Sequence, residues 1–193
     1  FYFSRAHLFH CCEPLWGGRA HDVYFQWIKT YVLSGHGLLM KLLFIAGDVS
    51  RIGGIEKYNR DFHSALVKTG ANVVLVERRE GELLAKLSFI FRVVWRFLQA
   101  RPDIIFCGHL NFSPVCLLLK KIFGTRYTLA LYGIEIIDSH GRLRRKAVRE
   151  SERVITISEY ARSLILRQYP DLDERIYMLP SAVDGSIFVI KNK

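Results

Sequence analysis

Short apolar runs alternate with longer amphipathic segments along the chain from residue 40 onward. The runs are rich in aliphatic residues and bounded by turn residues, which is typical of buried strands. The intervening segments have ten or more residues, and apolar positions recur at helical spacing. The predicted strands are 41–46, 72–77, 103–107, 126–131, 153–157 and 175–179, and the predicted helices are 55–68, 82–100, 113–123, 141–150 and 159–168.

This alternation predicts the fold class. Strands that are joined through helices run parallel, and right-handed crossovers cover both faces of the sheet with helices. Gly124 at the end of one predicted helix and Ser158 at the start of another are suitable capping residues. We therefore expect an α/β fold, a Rossmann-like doubly wound parallel sheet.

Residues 1–39 follow neither a strand nor a helix period, and they carry four of the seven histidines. We interpret them as an extension of uncertain nature: upstream or spurious sequence, the remnant of a preceding element, or a functional arm. Met40 opens the single predicted domain, residues 40–193. The spacing of the early histidines is irregular, so no metal site is predicted.

The chain of 193 residues has a net charge of +10, which makes phosphates, anionic lipid or nucleic acid plausible partners. A basic soluble surface explains the charge equally well. No nucleic-acid-binding motif is present, so we expect no nucleic acid. Cys107 and Cys116 lie in apolar runs and look like buried thiols of a reducing, cytoplasmic compartment.

The segment 83–100 is the most apolar of the chain, but three cations interrupt it: Lys86, Arg92 and Arg96. It is therefore not expected to span a membrane. We interpret it as a crossover helix buried against the sheet, and the alternative is a helix at a membrane interface.

Ligands of doubly wound sheets bind beyond the carboxyl ends of the strands, so the first such loop is of interest. Gly53 and Gly54 lie there, where a helix N-terminus can bind a phosphate through its backbone amides. The alternative is a tight turn that needs positive φ. The spacing matches neither the dinucleotide fingerprint nor a Walker loop, which argues against a dehydrogenase or a P-loop ATPase.

Five segments carry a resemblance to a known family: MKLLFIAGDVSRIGGIEKYNRDFHSAL, PDIIFCGHL, YTLALYGIEI, RVITISEYARSLI and ERIYMLPSAVDGSIF. In order and spacing they resemble the N-terminal, acceptor-side domain of family 4 glycosyltransferases with the GT-B fold. The resemblance covers residues 40–188.

The resemblance implies the acceptor-binding half of a retaining, nucleotide-sugar-dependent glycosyltransferase for surface polysaccharide or glycolipid synthesis. The donor would be a substrate such as a UDP- or GDP-hexose, and no cofactor is expected. The family's donor half carries two glutamates eight positions apart, and this chain has no such pair. We therefore expect a fragment truncated before the C-terminal donor domain and inactive alone. The alternative is a non-catalytic sugar- or phosphate-binding Rossmann-like module.

The resemblance also implies roles for individual residues. The glycine loop, Gly53 and Gly54, would reach the donor diphosphate or the acceptor. Tyr132 stands where many family members have histidine, and it either donates a hydrogen bond to the ligand or packs beneath the loop. His109 and Glu135 are further acceptor-binding candidates, whereas no catalytic residue can be assigned.

Two surface features complete the predictions. The family's hinge often reads Pro-Asn-Gly-Val-Asp, whereas this chain has a different turn that contains Ser181 and Asp184. A predicted basic helix could bind anionic lipid on the inner, cytoplasmic face of a membrane. Such binding would suit an enzyme whose acceptor is a sugar or a lipid-linked sugar. The alternative is a solvated flank. The basic residues are Arg142, Arg144, Arg145, Lys146 and Arg149.

Overall fold

The structure is a computed structural model that describes residues 40–78, 83–137 and 141–181. The strands are β1 (Lys41–Gly47), β2 (Asn72–Arg78), β3 (Ile104–Cys107), β4 (Arg126–Leu131), β5 (Arg153–Thr156) and β6 (Ile176–Met178). The α-helices are α1 (Gly54–Lys68), α2 (Leu83–Ala100), α3 (Ser113–Phe123), α4 (Ile134–Ile137), α5 (Arg142–Glu150) and α6 (Glu159–Gln168). Two 3₁₀-helices span Leu110–Phe112 and Pro170–Arg175.

All predicted strands and helices are confirmed, with ends shifted by no more than two residues. The sequence reasoning missed α4 and the two 3₁₀-helices. These elements span only one or two turns, too short to establish a period of apolar positions.

The six strands form one parallel sheet in the order β2-β1-β3-β4-β5-β6. Strand β2 lies on one side of β1. The chain then crosses back, and β3 and all later strands are added on the other side of β1. The order therefore reverses between β1 and β3, where a doubly wound sheet leaves a crevice for a ligand. The predicted Rossmann-like, doubly wound α/β class is confirmed.

Strand pleating divides the core between the two faces of the sheet. On one face, Leu43 and Ile45 belong to a cluster that includes buried side chains of α2, α3, α5 and α6. On the opposite face, Phe44 packs with Phe62 of α1 at a ring-centroid distance of 6.2 Å. This division follows from right-handed crossovers, because only the β1 to β2 connection runs in the reverse direction.

The predicted capping residues are also confirmed. Gly124 ends α3 in the left-handed conformation, with φ 71°. The Ser158 hydroxyl accepts a hydrogen bond of 3.2 Å from the Ala161 amide at the start of α6. Cys107 and Cys116 are free thiols buried in the core. Both helix ends and both thiols therefore match the local sequence signals.

Helix α2 differs from the prediction that it is buried against the sheet. Phe89, Val93 and Phe97 are buried, but Phe91 and Trp95 on the outer side are 67% and 53% exposed. The prediction was right for one side of the helix only. Within the described ranges, no helix is long and apolar enough to cross a bilayer.

Candidate functional site

The carboxyl ends of β1, β3 and β4 lie side by side where the strand order reverses. Three connections start there: residues 48–53 lead to α1, Gly108 and His109 follow β3, and Tyr132 follows β4. The residues that sequence reasoning placed on separate loops therefore meet at one edge of the sheet. We call this edge the cleft edge.

The glycine pair opens α1 without the backbone strain that a tight turn would require. Gly53 is the N-cap, and its φ of 179° is extended backbone that any residue adopts. A Cβ at Gly54 would have no heavy atom within 4 Å. The turn that needs positive φ is therefore ruled out at Gly53, and Gly54 leaves free space at the first turn of α1.

A carboxylate already lies against the N-terminus of α1. A Cβ at Gly53 would lie only 2.1 Å from Oε2 of Glu56, so this side chain folds back over the N-cap residue. Glu56 stands in the first helical turn, where the helix dipole favours a negative charge. A phosphate that approached these amides would have to displace or share the position with Glu56.

A hydrogen-bonded network connects α1 with the loops that follow β3 and β4. Asn59 of α1 is 1% exposed, and its Nδ2 donates to the Gly108 carbonyl at 3.1 Å. The Tyr132 hydroxyl lies 2.9 Å from Asn59 Oδ1 and 3.2 Å from the same carbonyl. Since the hydroxyl has one proton, the two acceptors share it. We call these three residues the Asn59 network.

Gly108 is required by this network for steric reasons. A Cβ there would lie 2.6 Å from Asn59 Oδ1 and 3.1 Å from the Ile45 carbonyl oxygen. Sequence reasoning missed both Asn59 and Gly108. One signal was present, since Asn59 is a polar residue between the buried Tyr58 and Phe62 of α1.

Tyr132 uses both its ring and its hydroxyl within the protein. The ring packs edge-on against Tyr58 at a centroid distance of 5.3 Å and an interplanar angle of 78°. Tyr58 in turn donates to the Leu179 carbonyl at 3.1 Å. These contacts support the interpretation that Tyr132 packs beneath the loop, and a direct contact with an acceptor stays a prediction.

Glu135 lies in α4, directly after the loop that contains Tyr132, and its carboxylate is turned toward the protein. Oε2 accepts a hydrogen bond of 3.2 Å from the Tyr132 amide. Oε1 is buried and has no hydrogen-bond partner among the described residues. Burial raises the pKa of Glu135, while hydrogen bonds from backbone amides act in the opposite direction. The group can therefore hold a proton more readily than an exposed glutamate.

His109 caps the 3₁₀-helix that follows β3. Its Nδ1 accepts a hydrogen bond of 3.0 Å from the Asn111 amide, which requires the proton to be on Nε2 in the neutral ring. Burial lowers the pKa of His109, Glu56 counteracts this, and Arg144 and Arg78 lower it further. In this arrangement His109 can offer a sugar or phosphate a hydrogen bond from Nε2 rather than act as a base.

Two arginines stand close enough for their charges to act on His109. Arg78 ends β2, and Arg144 is a half-buried residue of α5. Sequence reasoning missed Arg78 and grouped Arg144 with the residues of the basic helix surface. Their position adds positive charge near His109, which favours an anionic ligand there.

The other four basic residues of α5 form a separate surface. They are spaced at i, i+3, i+4 and i+7, and they line a shallow groove of about 490 Å³ together with Glu150. Glu150 pairs with Lys121 at 2.8 Å and with Lys146 at 3.9 Å, so part of the charge is neutralised within the protein. The groove residues are Arg142, Arg145, Lys146 and Arg149.

The remaining candidates are the two predicted hinge residues. Ser181 is exposed directly after Pro180, and Asp184 lies outside the described residues. Across residues 40–78, 83–137 and 141–181, no group of three or more histidine, cysteine, aspartate or glutamate side chains is placed to hold a metal ion.

Solved structures with the same fold include the Anabaena protein Alr3699/HepE in complex with UDP, with 17% identity and a TM-score of 0.51. The same protein in complex with UDP-glucose gives 18% identity and a TM-score of 0.51. In each case the match covers 77% of this chain and 46% of the other, so this chain spans less than half of that protein's length. No family model matches, and no curated protein matches. At this identity the likeness is one of fold.

Proposed function

We propose that this chain is the acceptor-binding half of a retaining, nucleotide-sugar-dependent glycosyltransferase of the GT-B type that serves surface polysaccharide or glycolipid synthesis. The observation that carries the proposal is the free space at Gly54, at the same end of the sheet as the Asn59 network, where the strand order reverses. Further support comes from the shared fold, since the matching Anabaena protein was solved with UDP and with UDP-glucose.

The chemistry of the cleft edge suits binding and orientation. The Nε2 of His109 can donate a hydrogen bond to a sugar hydroxyl or phosphate oxygen, and the backbone amides at the start of α1 can do so once Glu56 moves aside. Arg78 and Arg144 add positive charge near them. In our proposal the donor, a UDP- or GDP-hexose, is held mainly by a second domain, and this half orients the acceptor against it.

Orientation alone supplies only part of the catalysis in this proposal. Cleavage of the donor releases a nucleoside diphosphate, whose developing charge needs preorganised cations in a dry cleft. Those groups would come from both walls of the cleft. We therefore expect the 193-residue chain to bind its acceptor without transferring sugar.

The groove on α5 would hold the enzyme at the cytoplasmic face of a membrane that carries its lipid-linked acceptor. Arg142, Arg145 and Lys146 lie along one side of the helix and are exposed. Cations near an anionic surface contribute about 1 kcal/mol each. The solvated flank remains the alternative, and charge reversal at Arg145 with vesicle binding as the readout distinguishes the two.

The test is sugar transfer from a panel of UDP- and GDP-sugars to a membrane-lipid extract. The 193-residue chain is compared with a protein extended through the downstream coding sequence. Gly54→Val fills the free space and should lower transfer by the extended protein, whereas Gly141→Val, also at a helix N-terminus facing open space, serves as the matched control.

Three outcomes decide between the hypotheses. Transfer by the extended protein alone, lowered by Gly54→Val but not by Gly141→Val, supports the proposal. Transfer by the 193-residue chain contradicts the claim that the donor site lies elsewhere. If neither protein transfers sugar but the 193-residue chain binds a glycan in calorimetry, the non-catalytic binding module replaces the enzyme.

A further inference from the structure

Exposed apolar side chains concentrate on one side of the molecule. Of the thirteen large apolar residues exposed in the described ranges, nine lie on α2 and α3. We call these nine the α2–α3 face. They are Leu84, Leu87, Ile90, Phe91, Trp95, Leu98, Leu118, Ile122 and Phe123.

The α2 part of this face is an ordered stripe. Leu84, Leu87, Phe91, Trp95 and Leu98 recur every three or four residues and therefore share one side of the helix. The rings of Phe91 and Trp95 stack at 6.4 Å with an interplanar angle of 14°. The stripe lies opposite the buried residues that anchor α2 to the sheet, so it faces away from the core.

Helix α3 lies beside α2 and also carries exposed apolar side chains. Phe97 on the inner side of α2 packs against Phe123 of α3 at a ring-centroid distance of 5.0 Å, and Phe123 is itself 47% exposed. Ile122 is 62% exposed beside it. So many exposed apolar side chains on two neighbouring helices are unusual for a protein that has no partner at that surface.

The charges on the two helices indicate which partner fits. Neither α2 nor α3 contains an aspartate or glutamate, and α2 carries the cations Lys86, Arg92 and Arg96. The two lysines of α3 are engaged with Glu150, one in an ion pair and one as a donor to its carbonyl oxygen. Two copies of this face would bring cations against cations, which disfavours self-association. An anionic bilayer accepts both the apolar stripe and its flanking cations, and this combination is typical of interfacial helices.

We propose that the α2–α3 face rests on an anionic lipid bilayer, with Phe91 and Trp95 at the level of the headgroups and the acyl-chain boundary. This inference goes beyond the proposed function, because it depends on no residue of the cleft edge. This mode of membrane binding also differs from that of the α5 groove. The groove would attract anionic lipid by charge alone, whereas the α2–α3 face would insert apolar side chains into the bilayer. The cations of the α5 groove would act together with this face, by attracting the anionic headgroups.

The test uses the 193-residue protein and flotation with two kinds of vesicle, phosphatidylcholine alone and phosphatidylcholine mixed with phosphatidylglycerol. The double variant Phe91→Glu with Trp95→Glu should lower binding to the mixed vesicles by about tenfold or more. Val67→Glu is the matched control, because Val67 is 53% exposed like Trp95 but lies on α1, on the opposite face of the sheet.

A second readout reports insertion directly. Replacing Trp16 and Trp27 by phenylalanine leaves Trp95 as the single tryptophan. Its emission should shift to shorter wavelength with the mixed vesicles and be quenched by brominated acyl chains. The shift should persist in the charge-reversed variant Arg142→Glu with Lys146→Glu when protein and lipid are concentrated.

Several results would overturn the proposal. One is that the wild-type protein binds neither kind of vesicle in the flotation assay. Another is that the double variant binds the mixed vesicles as well as the wild type does. Binding that salt abolishes while Trp95 emission never shifts would mean adsorption through α5 alone. A concentration-dependent dimer that Phe91→Glu with Trp95→Glu dissolves would assign the face to a second copy instead. None of these results bears on sugar transfer to a soluble acceptor. The failure of this proposal can therefore be distinguished from the failure of the proposed function.

Discussion

The loop after β1 and the loop after β3 both present glycine at the cleft edge, but the two glycines differ in what surrounds them. At Gly54 a side chain would point into open space, whereas at Gly108 it would collide with Asn59 and with the β1 backbone. One glycine leaves room for something outside the protein. The other leaves room for the protein's own Asn59 network.

This difference separates two reasons for having glycine near a ligand. Free space at Gly54 has no structural use within the described chain, so it is the better candidate for contact with a ligand. Gly108 stabilises the fold by allowing Asn59 Nδ2 to reach its carbonyl. A substitution at Gly108 should therefore lower mainly the stability of the fold, and a substitution at Gly54 should lower mainly the binding of a ligand.

The largest expected effect is that of Gly108→Ala. The added Cβ would lie 3.1 Å from a backbone oxygen that cannot move away freely, and it would displace the buried Asn59 amide. We expect a loss of about 1–3 kcal/mol in the free energy of unfolding, measured by urea denaturation. A variant as stable as wild type would show that the Asn59 network adapts without cost.

The Asn59 network itself should be coupled. Asn59→Ala removes a buried donor and acceptor and should cost about 2 kcal/mol, and Tyr132→Phe should cost about 1 kcal/mol. Because the two side chains contact each other at 2.9 Å, the double variant should lose less than the sum of the single losses. Ser64→Ala, at an exposed hydroxyl of the same helix, is the control. Strict additivity would contradict the coupling.

Glu135 should make stability depend on pH. Burial raises the pKa of its carboxyl, so the folded state holds the proton more tightly than the unfolded state does. The stability is then greatest below the ordinary glutamate range and falls as pH rises through the raised pKa. Glu135→Gln should remove this fall, whereas the exposed Glu174→Gln should retain it. Denaturant titration at a series of pH values is the measurement.

The smallest effect on stability is expected for Gly54→Ala. Its Cβ enters open space, so the free energy of unfolding should change by less than about 1 kcal/mol, with alanine favouring the helix. Binding of the acceptor identified in the transfer assay should nevertheless weaken, as measured by calorimetry. Gly141→Ala should leave both quantities unchanged. Unaltered binding in Gly54→Ala would remove the ligand interpretation of this glycine.

The two sides of α2 differ in the same way, since one packs within the protein and the other faces outward. The sequence shows an apolar helix interrupted by cations, and burial against the sheet was the simpler interpretation. That interpretation holds for Phe89, Val93 and Phe97, while Phe91 and Trp95 face outward. Hydrophobicity alone could not separate the two sides, because both carry large apolar residues.

Local patterns in the sequence determined the fold class, the strands and long helices, and the caps at Gly124 and Ser158. Each of these depends on residues within a few positions of one another, and the crossover rule then fixes the sheet. The side-chain contacts at the cleft edge could be learned only from the tertiary structure. Asn59 bonds to Gly108 and Tyr132, which are 49 and 73 positions away. Contacts at such separations arise from the packing of helix on sheet, and no local period records them.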